Sequence, residues 1–126
     1  LYKILKYKYS LHASFDSCSY PGIQCKFYYN TSNKKNDGVC RCPNKCNKRG
    51  NGEELNNCLE VSFMIFRTGS VLIVGRCTEE ILKHIYNKVK KILYDEYSEI
   101  KINYIPVNKN NKKKHVRKKI ILIPTN

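Results

Sequence analysis

Four cysteines crowd into one short polar stretch of the chain. The thiolates of Cys40, Cys42, Cys46 and Cys58 supply the four soft ligands that a tetrahedral structural zinc ion requires. The surrounding residues 30–58 are almost all polar, Gly or Cys, so they cannot form a core and would take their order from a bound metal. We call residues 30–58 the metal loop and predict that it holds Zn²⁺. The spacing is not a double CxxC pattern, which leaves free or oxidised cysteines as the alternative.

The complete set of seven cysteines indicates a reducing compartment. An odd number with four members crowded together suits metal ligation better than a secreted disulfide scaffold. Cys18, Cys25 and Cys77 are expected to be small buried side chains. Lys or Arg interrupts every apolar stretch, so no window approaches the roughly 18 to 20 apolar residues that cross a bilayer. We therefore expect a soluble intracellular protein with no membrane contact.

Groups suited to catalysis are scattered along the chain. His12, His84 and His115 lie in unrelated contexts, and His84 is expected to be solvated on the polar side of a helix. The sequence contains neither a phosphate-cradling Gly loop nor an acidic cluster of the kind that holds a catalytic metal. These observations predict a protein that is not an enzyme.

The charge balance points to a polyanionic partner. Lys and Arg number 24 against 10 Asp and Glu, which gives a formal net charge of +14. Such an excess attracts nucleic acid through long-range steering and counterion release. An AT-rich coding genome would also raise Lys, together with Asn, Ile and Tyr, and is the alternative explanation of the composition. Codon usage does not explain why acidic residues are so few.

The elements that would position these residues follow from the apolar pattern of a chain long enough for one domain. Residues 23–29 are predicted to form a strand, and residues 59–66 and 71–74 a hairpin whose turn contains Gly69. Thr78 is expected to cap an amphipathic helix that continues to about Tyr97. Strands followed by a helix, without βαβ alternation, predict an α+β fold with an antiparallel sheet.

The two ends of the chain are less regular. Residues 1–16 are predicted to form a short helix that leads into a loop. Residues 98–126 are predicted to be a basic C-terminal extension, with strands at 100–107 and 118–123 joined by a basic loop. Because the chain starts at Leu1 without a leader pattern, we expect a fragment or a trimmed product.

Alternation along the predicted hairpin leaves apolar residues on both faces of the sheet. Val61 and Phe63 point to one side, whereas Met64 and Phe66 point to the other. One amphipathic helix covers one face, so the second face is a candidate binding surface. The alternative is that the N-terminal segment or a missing half of the molecule covers it. An apolar sheet face on a basic protein suits the DNA minor groove, where Phe wedges unstack base steps.

Three stretches of the chain resemble one repeat of the TATA-box-binding protein family, in the same order. They are Tyr20-Pro21-Gly22 with the strand that follows, the hairpin of residues 61–75 ending in Gly75, and the helix from Thr78. The resemblance covers residues 20–29 and 59–97 of the chain. The Cys-rich insertion and the Lys/Asn-rich composition are more similar to the versions found in nucleocytoplasmic large DNA viruses.

This resemblance implies a fold and an assembly. The fold would be half of a saddle, a curved antiparallel sheet with a long amphipathic helix on its convex face and a Cys-rich insertion. Residues 1–126 would form a single repeat. Because the family's saddle has two quasi-symmetric halves joined through their sheets, the second half would come from an upstream repeat or from a second copy in a homodimer.

The resemblance also implies a DNA-contacting surface. Tyr20 and Phe66 would take the places of the paired aromatics that wedge between bases, and Lys26 and Arg67 would reach phosphates. A core position for each aromatic and a solvated one for each cation are the alternatives. Val74 departs from the family's usual Thr, which hydrogen-bonds a base edge, and this puts a preference for TATA in question. The implied set comprises Tyr20, Pro21, Lys26, Met64, Phe66, Arg67, Leu72 and Val74.

Two functions from different classes follow. The first is a transcription initiation factor that grips double-stranded DNA of an AT-rich promoter and contacts a transcription factor IIB-like protein and RNA polymerase. The resemblance implies that it acts in the host nucleus or a cytoplasmic viral factory, or is packaged in the virion. The second is a zinc-stabilised basic module that binds nucleic acid without specificity or bridges viral proteins.

Overall fold

The computed structural model describes residues 1–102. Its central element is a four-stranded antiparallel sheet in the order β1-β2-β3-β4. The strands are β1 (His12–Ser14), β2 (Gly22–Tyr29), β3 (Leu59–Phe66) and β4 (Val71–Val74). Together with the helices described below, this sheet confirms the predicted α+β class. The predicted strand at 118–123 and most of the one at 100–107 lie outside the described residues.

The β3–β4 hairpin forms as the sequence predicts. The backbone N–H of Phe66 donates to the carbonyl of Ser70 at 2.9 Å, and that of Gly69 donates to Phe66 at 3.0 Å. Gly69 has a φ of 89°, a left-handed conformation that costs little without a Cβ. The turn therefore fixes the register in which Met64 lies opposite Leu72.

Helix α1 (Glu79–Asp95) begins at the predicted cap. The Thr78 hydroxyl accepts a hydrogen bond from the backbone N–H of Ile81 at 3.4 Å, and acidic residues occupy the first turn, where the helix dipole favours them. A short helix, α2 (Tyr97–Ile100), follows directly. Ile100 therefore ends a helix, and the prediction that a strand starts there is wrong. The helical hydrogen bond from Ile100 to Glu96 at 3.1 Å holds that residue in the turn.

The N-terminal segment contributes a helix and a strand. Residues Ile4–Lys8 form a π-helical turn, which agrees with the predicted short helix. Strand β1 follows it, where the sequence had predicted a loop. β1 has only three residues, too few to show a period, and it exists because it pairs with β2. The Tyr9 hydroxyl donates to the Glu96 carboxylate at 2.7 Å and Lys8 forms an ion pair with the same group. These contacts tie the segment to the end of α1.

The hydrophobic core lies between one face of the sheet and α1. Ile85 and Val89 of the helix are buried together with Phe27, Val61 and Phe63 of the central strands. Burying a side chain of this size contributes about 1.5 to 3 kcal/mol. The core therefore fixes which face of the sheet the helix covers. Within residues 1–102, no helix is both long and apolar enough to cross a membrane.

Candidate metal centre and open sheet face

The structure brings the four predicted cysteine ligands together. The Sγ atoms of Cys40, Cys42, Cys46 and Cys58 all lie within 4.8 Å of one another. Cys58 Sγ is 3.4 Å from Cys42 Sγ and 3.6 Å from Cys40 Sγ. A disulfide would need about 2.05 Å, whereas a tetrahedron with metal–sulfur bonds of about 2.3 Å separates its sulfurs by about 3.8 Å. The cluster therefore has the dimensions of a site for one tetrahedral metal ion.

Backbone and side-chain donors surround these sulfurs. The backbone N–H of Asn56 donates to Cys42 Sγ at 3.2 Å, and that of Cys58 donates to Cys46 Sγ at 3.4 Å. The side-chain amide of Asn30 lies 3.6 Å from Cys58 Sγ. Donors of this kind orient thiolate ligands and offset their negative charge. The residues present consequently fit a metal held by four thiolates.

The pKa values of the thiols show what a cation would change. Burial raises the pKa of Cys58 and, more weakly, that of Cys42. Burial also opposes ionisation of Cys46, but N–H groups of Cys58 and Lys48 outweigh it and lower the pKa of Cys46 to about 7. Four thiolates crowded together repel one another, so a divalent cation is what would hold all of them ionised at neutral pH.

Asn30 anchors the metal loop, a role that the sequence reading missed. Its side chain is only 3% exposed and donates to the carbonyl oxygen of Glu54 at 2.7 Å. Its side-chain oxygen accepts from Ser32, and its backbone N–H donates to the side chain of Asn36. Asn30 directly follows β2 and Cys58 directly precedes β3, so the loop is closed at its base on two paired strands. Only these long-range contacts distinguish Asn30 from the loop's other asparagines.

The metal loop also contacts helix α1, which corrects the prediction for His84. The imidazole Nε2 lies 2.9 Å from the carbonyl oxygen of Asn36. The ring packs edge-on against Phe27 and Tyr29, with centroid distances of 6.1 and 5.5 Å. The prediction of a solvated surface residue is therefore wrong. Because the loop folds back over the end of the sheet, it meets the polar side of α1 at this position.

The face of the sheet opposite α1, which we call the open face, carries most of the predicted DNA-contacting residues. Across the strands, Gln24 pairs with Met64 and Met64 with Leu72, while Lys26 pairs with Ser62 and Ser62 with Val74. Directly paired residues point to the same side of a sheet. Leu72 is 47% exposed and Val74 50% exposed, so this apolar surface is accessible. Met64 and Phe66 are half-buried.

Tyr20 and Phe66 form a pair at one end of the open face. Their ring centroids lie 5.9 Å apart, and the Tyr20 hydroxyl donates to Met64 Sδ at 3.3 Å. That contact gives the hydroxyl of Tyr20 a partner on the sheet. Pro21 and Arg67 are exposed beside the pair, Pro21 before β2 and Arg67 in the β3–β4 turn. The structure thus brings the two predicted wedge residues together.

The remaining part of the open face is polar. Lys26 forms an ion pair with Glu60 at 3.0 Å, and this contact raises the pKa of Lys26. Lys26 therefore has a carboxylate neighbour that competes with phosphate.

Two cysteines outside the cluster differ in their exposure. Burial encloses Cys25 and raises the pKa of its thiol to about 12. Cys18 is exposed, so the prediction that it is buried is wrong.

Comparison with protein-family models, curated proteins and solved structures gave no match to this chain.

Proposed function

We propose that this protein binds double-stranded DNA through the open face of its sheet, as a transcription initiation factor similar to the TATA-box-binding protein. The observation that carries the proposal is an accessible apolar surface on the side of the sheet that α1 leaves free. Met64, Phe66, Leu72 and Val74 share that surface. Monomeric soluble proteins seldom leave such side chains together in water without a partner.

The minor groove is the partner that suits this combination of groups. Aromatic wedges inserted between base steps kink the duplex, and flanking cations hold phosphates. The Tyr20–Phe66 pair lies at the end of the sheet beside the exposed Arg67, where a wedge would have a cation next to it. The net charge of +14 would bring the duplex to this surface. Val at position 74 favours shape and deformability over hydrogen-bond recognition of bases.

We further propose that the metal is Zn²⁺ and that its role is structural. Four thiolates in a tetrahedral arrangement favour zinc over the hard cations that prefer oxygen ligands. With all four positions taken by Cys40, Cys42, Cys46 and Cys58, the ion would have no open position for a substrate. Zinc would supply the ordering energy that the polar metal loop lacks.

The assembly and partners in this proposal derive from the family resemblance. A second half of the saddle would come from an upstream repeat or a second copy, and the helix side would contact a transcription factor IIB-like protein and RNA polymerase. The order of elements supports the assignment: Pro21 and Gly22 stand at the start of β2, and Gly75 separates the hairpin from α1. The predicted sites of action, the nucleus, a viral factory or the virion, belong to the same proposal.

A binding titration tests the proposal. AT-rich and GC-rich duplexes are compared at two salt concentrations with the wild type, Phe66→Ala and the control Tyr94→Ala. Tyr94 is an aromatic on α1, away from the open face, and is 73% exposed. Insertion of the aromatic pair between base steps predicts an AT preference and DNA bending. It also predicts that Phe66→Ala, but not Tyr94→Ala, loses at least about 1 kcal/mol of binding free energy. Equal affinity for both duplexes and all variants would reject it.

A second candidate is the zinc-stabilised basic module that binds nucleic acid non-specifically or bridges proteins. An apolar groove of about 540 Å³ between β4 and α1, lined in part by Ile73, Tyr86 and Tyr94, favours a protein partner. In this case the affinity for DNA would fall steeply with salt and would be unchanged by Phe66→Ala. The titration therefore separates the two candidates.

A further inference from the structure

We infer that a cleft between the open face and the metal loop binds a backbone phosphate of nucleic acid, with Lys48 as its principal ligand. The inference rests on the proposed function only in that the partner is a nucleic acid. It gives a function to the metal loop, which lies outside the residues that carry the family resemblance. It also gives a function to Lys48, which is not among the residues predicted from the sequence to contact DNA.

The cleft has a volume of about 480 Å³ and lies beside the end of β1. Lys6 and His12 line it on the side of the N-terminal segment, and Cys40 and Lys48 line it on the side of the metal loop. Tyr28 also lines it, and the backbone N–H of Tyr28 donates to Gly38 of the metal loop at 2.9 Å. The metal loop thus continues the sheet at this corner and forms one wall of the cleft.

Lys48 is held in place over Tyr28. Its Nζ lies 4.7 Å from the centroid of the Tyr28 ring, and Tyr28 is buried. Tyr28 is two residues from Lys26 along β2, and His12 lies opposite Lys26, so all three point to the open face. Cation–π contact with a fixed ring restricts where an ammonium group can lie. The positive charge of Lys48 is therefore positioned on the proposed DNA-binding side.

The backbone of Lys48 links this position to the metal centre. Lys48 has a φ of 59°, a left-handed conformation that glycine adopts readily and that a side chain makes costly. It stands two residues after Cys46 of the cluster. Glycine would adopt this backbone conformation with less strain, so the lysine at this position is explained by what its side chain does.

The carboxylates around the cleft leave Lys48 available to an anion. Two carboxylates that neighbour residues lining the cleft are already paired: Glu60, opposite Tyr28, with Lys26 at 3.0 Å, and Asp37, next to Gly38, with Arg41 at 2.9 Å. Within residues 1–102, Lys48 forms no ion pair. Lys6, whose Nζ donates to the Tyr2 hydroxyl at 3.1 Å, also lines the cleft and adds a second cation there. A phosphodiester carries one negative charge, which this pair of lysines would neutralise with release of counterions.

The spacing along the sheet is compatible with one duplex contacting both regions. Tyr28 lies six positions from Gly22, which pairs with Phe66, and at about 3.3 Å per strand residue the separation is about 20 Å. Successive phosphates along one DNA strand advance by about 3.4 Å, so about six of them span that distance. The phosphate cleft and the wedge would then hold opposite ends of one binding site.

The test uses Lys48→Gly, which keeps the left-handed backbone and removes the side chain. Affinity for a fluorescent AT-rich duplex of about 20 base pairs is measured by anisotropy over a range of salt, next to zinc content and melting temperature. The control is Lys90→Ala, because Lys90 also lies over tyrosine rings but on α1. We expect Lys48→Gly to keep zinc and stability, to weaken binding several-fold and to reduce the salt slope by about 1. Lys48→Arg and Lys90→Ala should bind nearly as the wild type.

The outcomes separate the cleft from the proposed function. If Lys48→Gly binds DNA like the wild type while Phe66→Ala does not, phosphate binding in the cleft is rejected and insertion of the aromatic pair is supported. If Lys48→Gly weakens binding and Phe66→Ala does not, phosphate binding in the cleft is supported and insertion of the aromatic pair is rejected. Should Lys48→Gly lose zinc, the variant Lys6→Ala on the opposite wall decides, because an unchanged salt slope in that variant would reject phosphate binding in the cleft. A wild type with no affinity for either duplex rejects both.

Discussion

His84 on helix α1 lies 2.9 Å, through its Nε2 atom, from the carbonyl oxygen of Asn36 in the metal loop. This contact joins the loop to helix α1, on the side of the sheet opposite the open face. The same imidazole packs edge-on against Phe27 and Tyr29 at the end of β2. A loop of this length without helices or strands needs such attachments, because loops longer than about 12 to 15 residues otherwise seldom have one ordered structure.

Replacing His84 with Ala should therefore destabilise the metal loop and its attachment to helix α1. The variant loses a hydrogen bond and leaves the Asn36 carbonyl without that partner, which lowers the free energy of unfolding by about 1 to 3 kcal/mol. Chemical denaturation of the zinc-loaded protein measures the change. Asn87→Ala, an exposed residue on the same helix, is the control. Equal stability of the His84 variant and the wild type would show that the contact does not hold the loop.

Metal analysis should find close to one zinc ion per chain. A double variant, Cys42→Ser with Cys58→Ser, removes two of the four ligands and should lose the metal and the protection of the loop from proteolysis. Cys18→Ser should keep its zinc, because Cys18 is exposed and outside the cluster. A metal-free native protein whose loop resists protease would contradict the assignment.

The contribution of Glu96 to stability should depend on pH. The hydrogen-bonded ion pair with Lys8 and the Tyr9 hydroxyl lower the pKa of this buried carboxyl below its ordinary value of 4.5. A lowered pKa in the folded state stabilises the protein above the unfolded value, and the effect is lost as pH falls through the folded value. The stability advantage of the wild type over Glu96→Gln should thus be full at neutral pH and shrink in acid.

Denaturation of both proteins between about pH 7 and pH 3 measures this advantage. Acid would also protonate the thiolates of the cysteine cluster, so the quantity to compare is the difference in the free energy of unfolding between wild type and variant at each pH. Glu54→Gln, an exposed residue, provides the control. A difference that stays constant across the range would show that the ionisation of Glu96 is not coupled to folding.

Gly22→Ala should disturb the aromatic pair of the open face. An added Cβ would lie 3.0 Å from the Phe66 ring and 3.2 Å from the Tyr20 ring, closer than such atoms normally approach. Both rings must shift by a few tenths of an ångström, and overpacking of this kind costs about 1 to 3 kcal/mol. We expect weaker binding to AT-rich duplex.

The matched control for this change is Gly75→Ala. Its Cβ would lie 3.1 Å from Val61, so the crowding is similar but remote from the aromatic pair. Duplex affinity and melting temperature are measured for both variants. An equal loss of affinity in the two would mean that general destabilisation, rather than the position of Phe66, explains the effect.

The sequence by itself determined the elements whose signals are local. Strand β2, the β3–β4 hairpin and helix α1 were predictable because alternation, a turn glycine and the Thr78 cap each depend on residues near in the chain. The four cysteines that could hold a metal ion were predictable as well, since their chemical type and crowding stand out in a polar stretch. The sharing of one face by Met64 and Leu72 followed from alternation and the hairpin register.

Only the tertiary structure decided the features that join distant parts of the chain. β1 has three residues and no period, and it is a strand because β2 offers it hydrogen bonds. Nothing in the sequence distinguishes Asn30 and His84 from other polar residues. Their roles depend on contacts with Cys58 and Asn36, which the folded metal loop provides. Lys48 acquires its position over Tyr28 in the same way. Long-range contacts of this kind depend on how the chain closes its loops, and a single sequence carries no local pattern that reports them.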